Sequence, residues 1–159
     1  MNDKHTNTIP LDGSYFDILS LRQNGLCCSQ IIVKLVLRDL GQDNPDLVRS
    51  MAALCFGSGN TAGTCGVFTG AACALSLYLG NNSDREQQDP LLPLLLGELS
   101  DWFTIQTERT YGGIRCEEIL TASPDKRACT LLLVSTLEKL QSMMATVGGA
   151  EKGCGHGHP

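Results

Sequence analysis

The chain has 159 residues, 42% of them hydrophobic, which is enough for one domain to enclose a single core. Its formal net charge of -5 gives no basic surface of the kind that binds nucleic acid or an anionic membrane. The longest apolar run, residues 91–96, contains Pro93 and is too short to cross a bilayer. We therefore expect no nucleic-acid partner and no membrane span.

The two ends of the chain differ in composition from the middle. Residues 1–13 are polar and lack the apolar run of a signal peptide, which predicts a cytoplasmic protein. Apolar periodicity is lost again from Gly148 onwards. The sequence thus predicts a flexible N-terminus at 1–13, a helical domain at 14–147 and a flexible tail at 148–159.

In the first half of the domain, apolar residues recur at helical spacing and no stretch keeps the alternation typical of a strand. The spacing predicts helices over 15–24, 27–40 and 45–56, separated by Gly25, Gly41 and the Asn44-Pro45 helix entry. Three glycines at positions 57, 59 and 63 then predict an irregular turn.

After this turn, Thr64 is expected to cap a helix over 65–79 that is apolar nearly all round. Such a helix should lie at the centre of the fold. Gly66, Gly70 and Ala74 form a stripe of small residues along it, on which another helix or a ligand could approach the backbone closely.

Three further helices are predicted in the second half of the chain. They cover 90–111, 115–120 and a last segment that opens at Ser123-Pro124-Asp125. We therefore predict an all-α, single-domain helical bundle of about five to seven helices around a buried central helix at 65–79.

The chain contains eight cysteines, at positions 27, 28, 55, 65, 73, 116, 129 and 154. Cysteines are normally kept reduced in the cytoplasm, so this number of cysteines points to metal binding, catalysis or redox sensing rather than to structural disulfides. The alternative is that cysteines pack in the core as small hydrophobic residues, which is the role expected for Cys55.

Four of the cysteines face inward in the predicted helices: Cys28, Cys65, Cys116 and Cys129. The first three fall in the first turn of a helix, where the helix dipole is expected to lower the pKa of a thiol. Cys129 is expected one turn deeper in the last helix. Cys65 is the predicted reactive or ligating centre.

These four thiols allow two kinds of chemistry. They could hold zinc or an iron–sulfur cluster, either as an electron carrier or as a structural four-cysteine site in a non-catalytic metal-binding or scaffold protein. They could instead form reversible disulfides. No Cys-x-x-Cys pair occurs, so the fold must assemble whichever site exists.

The tail offers a separate set of metal-binding side chains. Cys154, His156 and His158 alternate with glycine, and two imidazoles with a thiol suit zinc, nickel or copper. The alternative is a surface tail whose affinity for metals is weak and incidental.

Three ordered segments, 25–30, 63–71 and 111–120, followed by Cys129, resemble the motifs of a bacterial and archaeal family of redox-active proteins named for the pattern C_GCAxxG_C_C. The resemblance extends over residues 15–145 and implies a helical fold and a redox role. It identifies the family's four cysteines as Cys28, Cys65, Cys116 and Cys129. It implies no substrate, and the partner expected is a redox or metal-delivery protein.

Overall fold

The computed structural model describes residues 13–81, 83 and 87–152, with the backbone alone for 148–152. This part of the chain contains seven α-helices, one 3-10 helix and no strand. The helices are α1 Gly13–Gln23, α2 Cys28–Asp39, α3 Pro45–Ser50, the 3-10 helix Met51–Leu54, α4 Gly66–Leu79, α5 Leu91–Tyr111, α6 Cys116–Ala122 and α7 Arg127–Lys152. The prediction of an all-α, single-domain bundle is confirmed.

Helix α4 lies at the centre of the bundle, as predicted, and packs against α2, α5 and α7. Its fully buried side chains are Val67, Ala71, Ala74 and Leu75. The backbone of α2 approaches α4 at Gly70, where an added Cβ would lie 2.8 Å from Cα of Ser29. The predicted stripe of small residues thus serves a contact between helices.

The two longest helices, α5 and α7, cover α4 with one apolar face each. Leu99 and Phe103 of α5, and Leu133 and Leu140 of α7, are almost wholly removed from solvent. In the described part of the chain, no helix is both long and apolar enough to cross a membrane.

Glycines end three helices where the sequence predicts a stop. Gly25, Gly41 and Gly112 follow α1, α2 and α5 with φ angles of +88°, +67° and +86°. This left-handed conformation is open to glycine without the steric cost that a Cβ brings, so the positions of these stops follow directly from the sequence.

The helix predicted over 45–56 is shorter than expected. Asn44 and Pro45 open it as predicted, and the Asn44 side chain accepts a hydrogen bond of 3.0 Å from the amide of Leu47. The helix tightens to a 3-10 turn at Met51 and ends at Leu54, because Cys55 is extended and Phe56 is left-handed, with φ of +53°.

Helices α2, α4, α5 and α6 each begin one residue later than predicted, and α7 begins later still. The N-cap of α4 is Cys65 rather than Thr64. Helix α7 begins at Arg127, because Lys126 adopts a left-handed φ of +61° and interrupts the helix entry at Ser123. Cys129 is therefore the third residue of α7 and lies in its first turn, rather than one turn deeper.

Candidate thiol site

Five cysteines line one cavity of about 220 Å³, and four of them, apart from Cys27, stand at the starts of four different helices. These four are the ones that the sequence nominates, Cys28, Cys65, Cys116 and Cys129. Three of them are buried and Cys28 is partly buried. Apolar side chains make up most of the remaining wall, together with the cationic side chains of Arg22 and Lys126.

Each of these cysteines stands at the start of its helix. Cys65 is the N-cap of α4, Cys28 and Cys116 are the first residues of α2 and α6, and Cys129 is the third residue of α7. The Cα–Cβ bonds of a helix tilt toward its N-terminus, so side chains at these positions project beyond the helix end. The cavity is therefore the place where four helix beginnings meet.

The glycine-rich turn brings Cys65 and Cys116 to this place. The amide of Cys65 donates to the carbonyl of Ile114 at 2.9 Å, and the amide of Cys116 donates to the carbonyl of Gly63 at 3.0 Å. Within the turn, a Cβ added to Gly57 would lie 2.7 Å from the carbonyl oxygen of Gly63. The backbones at the two ends of the turn are therefore in contact. The turn thus fixes the start of α4 against the start of α6.

A second set of contacts brings the other two cysteines to the cavity. A Cβ added to Gly66 would lie 3.6 Å from Cβ of Cys28, which shows how closely the start of α2 approaches α4. Arg22, at the end of α1, donates hydrogen bonds to the carbonyl of Lys126 at 3.3 Å and to the hydroxyl of Thr130. These bonds fix α1 to the first turn of α7, where Cys129 lies.

The thiol of Cys129 is the acidic one. Its pKa is lowered from the ordinary value of 9.0 to about 7, mainly because the thiol of Cys28 donates a hydrogen bond to it; the cations Arg22 and Lys126 act in the same direction against the effect of burial. The same interaction, together with burial, holds the pKa of Cys28 well above its ordinary value. At neutral pH, Cys28 keeps its proton while Cys129 is substantially ionised.

The pKa shifts expected for the other three cysteines are wrong in direction. Burial raises the pKa of Cys65 to about 12, although the amides of Val67 and Phe68 oppose this shift. Burial also raises the pKa of Cys116. For these two thiols, the effect of desolvation on the pKa outweighs that of the helix dipole. For Cys28, the hydrogen bond to Cys129 raises the pKa more than the helix dipole lowers it. The thiol with a lowered pKa is Cys129 rather than Cys65, on which the sequence prediction centres.

A further pair of cysteines adjoins the cavity. The sulfurs of Cys27 and Cys55 lie within disulfide-bonding distance, with their Cα atoms 6.0 Å apart. Cys27 lines the cavity, while Cys55 is buried and its sulfur lies 2.9 Å from the hydroxyl of Ser29. Cys55 is therefore paired as well as packed. No local spacing signals this pair, because 28 positions separate its members.

Two residues with left-handed backbone meet at the cavity wall. Nζ of Lys126 lies 5.7 Å from the ring centre of Phe56, close enough for a cation–π contact. Both residues line the cavity, and neither is a glycine.

The sequence does not predict that Arg22 and Lys126 belong to this site. The two residues are far apart in the chain, and only the fold places their side chains beside Cys129.

The described residues include no group of three or more His, Cys, Asp or Glu side chains arranged to hold a metal ion. The three tail residues nominated as metal ligands, Cys154, His156 and His158, lie outside the described residues. Zinc or iron–sulfur binding by the four cysteines of the cavity stays a prediction, as does the binding of zinc, nickel or copper by the tail.

A comparison of the chain with protein families gives a match. A family model described as "Putative redox-active protein (C_GCAxxG_C_C)" matches residues 26–143, which include all four cysteines of the cavity. Neither the curated proteins nor the solved structures give a match. Since the matched region covers well over half of the sequence, the chain belongs to the C_GCAxxG_C_C family of redox-active proteins.

Proposed function

We propose that this protein carries out thiol–disulfide exchange, with Cys129 as the attacking thiol and Cys28 as the resolving thiol. The observation that carries the proposal is that the two thiols line one cavity and interact there, which lowers the pKa of Cys129 and raises that of Cys28. The attacking species in exchange is the thiolate, and the best attacking thiol has a pKa near the ambient pH. With a pKa of about 7, Cys129 meets this condition.

The exchange has two steps. The thiolate of Cys129 attacks a substrate disulfide, forms a mixed disulfide and releases one substrate thiolate. Cys28 then loses its proton and attacks the sulfur of Cys129, which releases the second substrate thiolate and leaves a Cys28–Cys129 disulfide. Two electrons pass from the protein to the substrate, and a dithiol reductant, such as a redox partner protein, restores the two thiols.

Cys65 and Cys116 complete the set of four thiols that we propose for this function. Burial raises the pKa of each, so both stay protonated at neutral pH and attack slowly. They line the same cavity as the first pair. This position supports a secondary role, in which they exchange with the disulfide that Cys28 and Cys129 form.

The alternative function is metal binding by the same four sulfurs, as an iron–sulfur electron carrier or a structural zinc site. The observation in its favour is that all four line one cavity. Tetrahedral sulfur ligation of zinc needs sulfurs about 2.3 Å from the ion. The described residues include no group of three or more side chains arranged in this way. Thiol exchange needs only the pair that already interacts.

A trapping experiment tests the proposal. Protein purified without oxygen is treated with an aromatic disulfide whose released thiolate is coloured, and the adducts are located by mass spectrometry. In the wild type we expect two released thiolates and a Cys28–Cys129 disulfide. In the Cys28→Ser variant we expect one released thiolate and a mixed disulfide that persists at Cys129.

Cys129→Ser should lose the rapid reaction, while Cys73→Ser serves as the matched control, because Cys73 lies on α4 away from the cavity wall. The proposal fails if Cys129→Ser reacts as fast as the wild type. It also fails if the purified protein carries stoichiometric zinc or a coloured cluster that blocks all four cysteines, which is the result that metal binding predicts.

A further inference from the structure

A second cleft adjoins the thiol cavity. Its volume is about 570 Å³, and it lies between α1 and the start of α7. Arg22 and Lys126 line both this cleft and the thiol cavity. These two side chains therefore stand between the open cleft and the sulfur of Cys129.

The cleft is positively charged. Three cations line it, Arg22, Lys126 and Arg127, against a single carboxylate, that of Asp125. Asp125 is already engaged, since it pairs with Arg127 at 3.2 Å and accepts a hydrogen bond from Ser123. The protein as a whole carries a net charge of -5, so this cleft has a sign opposite to that of the molecule.

Arg22 and Lys126 have no carboxylate partner within ion-pairing distance among the residues that the structure describes. Arg22 is held in place by a hydroxyl and a carbonyl, which orient its guanidinium without neutralising it. Lys126 contacts the ring of Phe56, which leaves its charge unpaired. A substrate with a negative group would therefore find two cations that form no ion pair with a carboxylate of the described residues.

We propose that the cleft is a substrate subsite, in which Arg22 and Lys126 bind the carboxylate of a small anionic disulfide while its sulfur–sulfur bond enters the thiol cavity. This inference rests on the proposed function and adds the chemical class of the substrate. The cleft alone falls in the size range of small-molecule sites, roughly 300 to 1,000 Å³. An arginine with a lysine is a common pair for binding carboxylates.

The two cations serve a second purpose in the same exchange. When the thiolate of Cys129 attacks the bound disulfide, the negative charge moves to the substrate sulfur that leaves. Arg22 and Lys126 lie beside this path and stabilise the departing thiolate as well as the carboxylate. The products are a mixed disulfide at Cys129 and a free thiolate, and Cys28 then resolves the mixed disulfide.

The charge of the substrate can be varied at nearly constant size. Three probes serve: dithiodipropionate, which carries two carboxylates, bis(2-hydroxyethyl) disulfide, which is neutral, and cystamine, which carries two ammonium groups. The measured quantity is a relative rate constant: the second-order rate constant for oxidation of the reduced, full-length protein divided by that of a small reference thiol with the same probe, because the leaving thiols differ in pKa. We expect the order anion, neutral, cation, with the difference greatest at low ionic strength, where screening is weak.

The variants Arg22→Gln and Lys126→Gln test the subsite. Each should lower the ratio of the anionic to the neutral rate constant by roughly fivefold, the effect of removing one charge contact near a surface. The ratio is the decisive readout, because any change in the ionised fraction of Cys129 affects both probes equally and cancels. Arg22→Lys should restore much of the ratio.

Arg49→Gln is the matched control, since Arg49 lies on α3 and lines neither cavity. Its ratio should equal that of the wild type. If the wild type gives the same relative rate constant with all three probes, the subsite is overturned while the proposed exchange stands. If none of the three probes oxidises Cys129, the proposed function itself fails.

Discussion

The thiol of Cys28, in the first turn of α2, donates a hydrogen bond to the thiol of Cys129, in the first turn of α7. The interaction lowers the pKa of Cys129 to about 7 and raises that of Cys28. Two residues from opposite ends of the domain thus become an unequal pair, in which one thiol is poised to attack and the other holds the proton. The positively charged side chains of Arg22 and Lys126 lie nearby and lower the pKa of Cys129 further.

This pairing predicts the pH dependence of alkylation at Cys129. The rate of reaction with iodoacetamide follows the thiolate, so it should rise with pH through a midpoint near the pKa of about 7 and then level off. Cys28→Ala removes the hydrogen-bond donor and should move the midpoint toward the ordinary thiol value of 9.0. Peptide mapping of the alkylated protein gives the rate at each cysteine.

A wild-type midpoint that coincides with that of Cys28→Ala would contradict the effect of the hydrogen bond from Cys28 on the pKa of Cys129. Cys73 provides an internal reference, because burial raises its pKa and its alkylation should continue to rise at pH values where Cys129 has levelled off.

A second prediction concerns the close contact of α2 and α4. Gly70→Ala places a Cβ 2.8 Å from Cα of Ser29 and 3.0 Å from its carbonyl oxygen, both backbone atoms that cannot turn aside. We expect the free energy of unfolding to fall by about 1 to 3 kcal/mol, as for other overpacked cores. Urea denaturation followed by circular dichroism measures the change.

The matched control is Gly97→Ala in the exposed middle of α5, where an added Cβ meets nothing within 4 Å. This variant should raise the free energy of unfolding by about 0.5 to 1 kcal/mol, because alanine loses less conformational entropy in a helix. Equal effects of the two substitutions would show that α2 and α4 do not touch at Gly70.

A third prediction concerns the pair Cys27 and Cys55. A disulfide between them closes a loop of 28 positions, so Cys27→Ser should lower the free energy of unfolding in non-reducing buffer by about 3 to 4 kcal/mol. In reducing buffer the wild type has lost the same constraint. Serine is also a favoured N-cap residue at the position of Cys27, so the difference should then fall below about 1 kcal/mol.

Cys73→Ser serves as the control, since Cys73 is a free cysteine and its substitution should have the same effect in both buffers. Peptide mapping without reduction should recover Cys27 and Cys55 in one cross-linked product. Recovery of both residues as free thiols from oxidised protein would contradict the pairing.

A fourth prediction concerns two buried threonines. The hydroxyl of Thr136 on α7 is buried without a hydrogen-bond partner among the described residues, whereas that of Thr107 on α5 donates to the carbonyl of Phe103 at 2.8 Å. Thr136→Val should raise the free energy of unfolding by about 1 kcal/mol, because it replaces an unpaired polar group with an apolar group of equal size. Thr107→Val should lower it by a similar amount.

The test is that the two substitutions change the free energy of unfolding in opposite directions. Both replace a buried threonine hydroxyl with a methyl group within a helix. Thermal unfolding of the two variants and the wild type compares them directly. Destabilisation by Thr136→Val would show that its hydroxyl has a partner in solution.

The sequence predicts most of the helical architecture because the controlling interactions are local. Left-handed glycines end α1, α2 and α5 where expected, and the nearly uniform apolar composition of 65–79 places α4 in the core. The late start of α7 is not predicted, because Ser123-Pro124-Asp125 has the residues typical of a helix N-terminus and predicts a start there. Only the left-handed backbone of Lys126 delays the helix to Arg127.

For the candidate site, helical periodicity and the family's motifs together single out Cys28, Cys65, Cys116 and Cys129 in the sequence, since both are local properties. Periodicity alone also places Cys55 inward, and that thiol is buried as well. Only the tertiary structure decides that the four line one cavity, that Cys27 pairs with Cys55, and that Cys129 rather than Cys65 has the lowered pKa. The physical reason is that a pKa depends on desolvation and on charges within a few ångströms. Arg22, Lys126 and Cys28 become neighbours of Cys129 only when the helices pack.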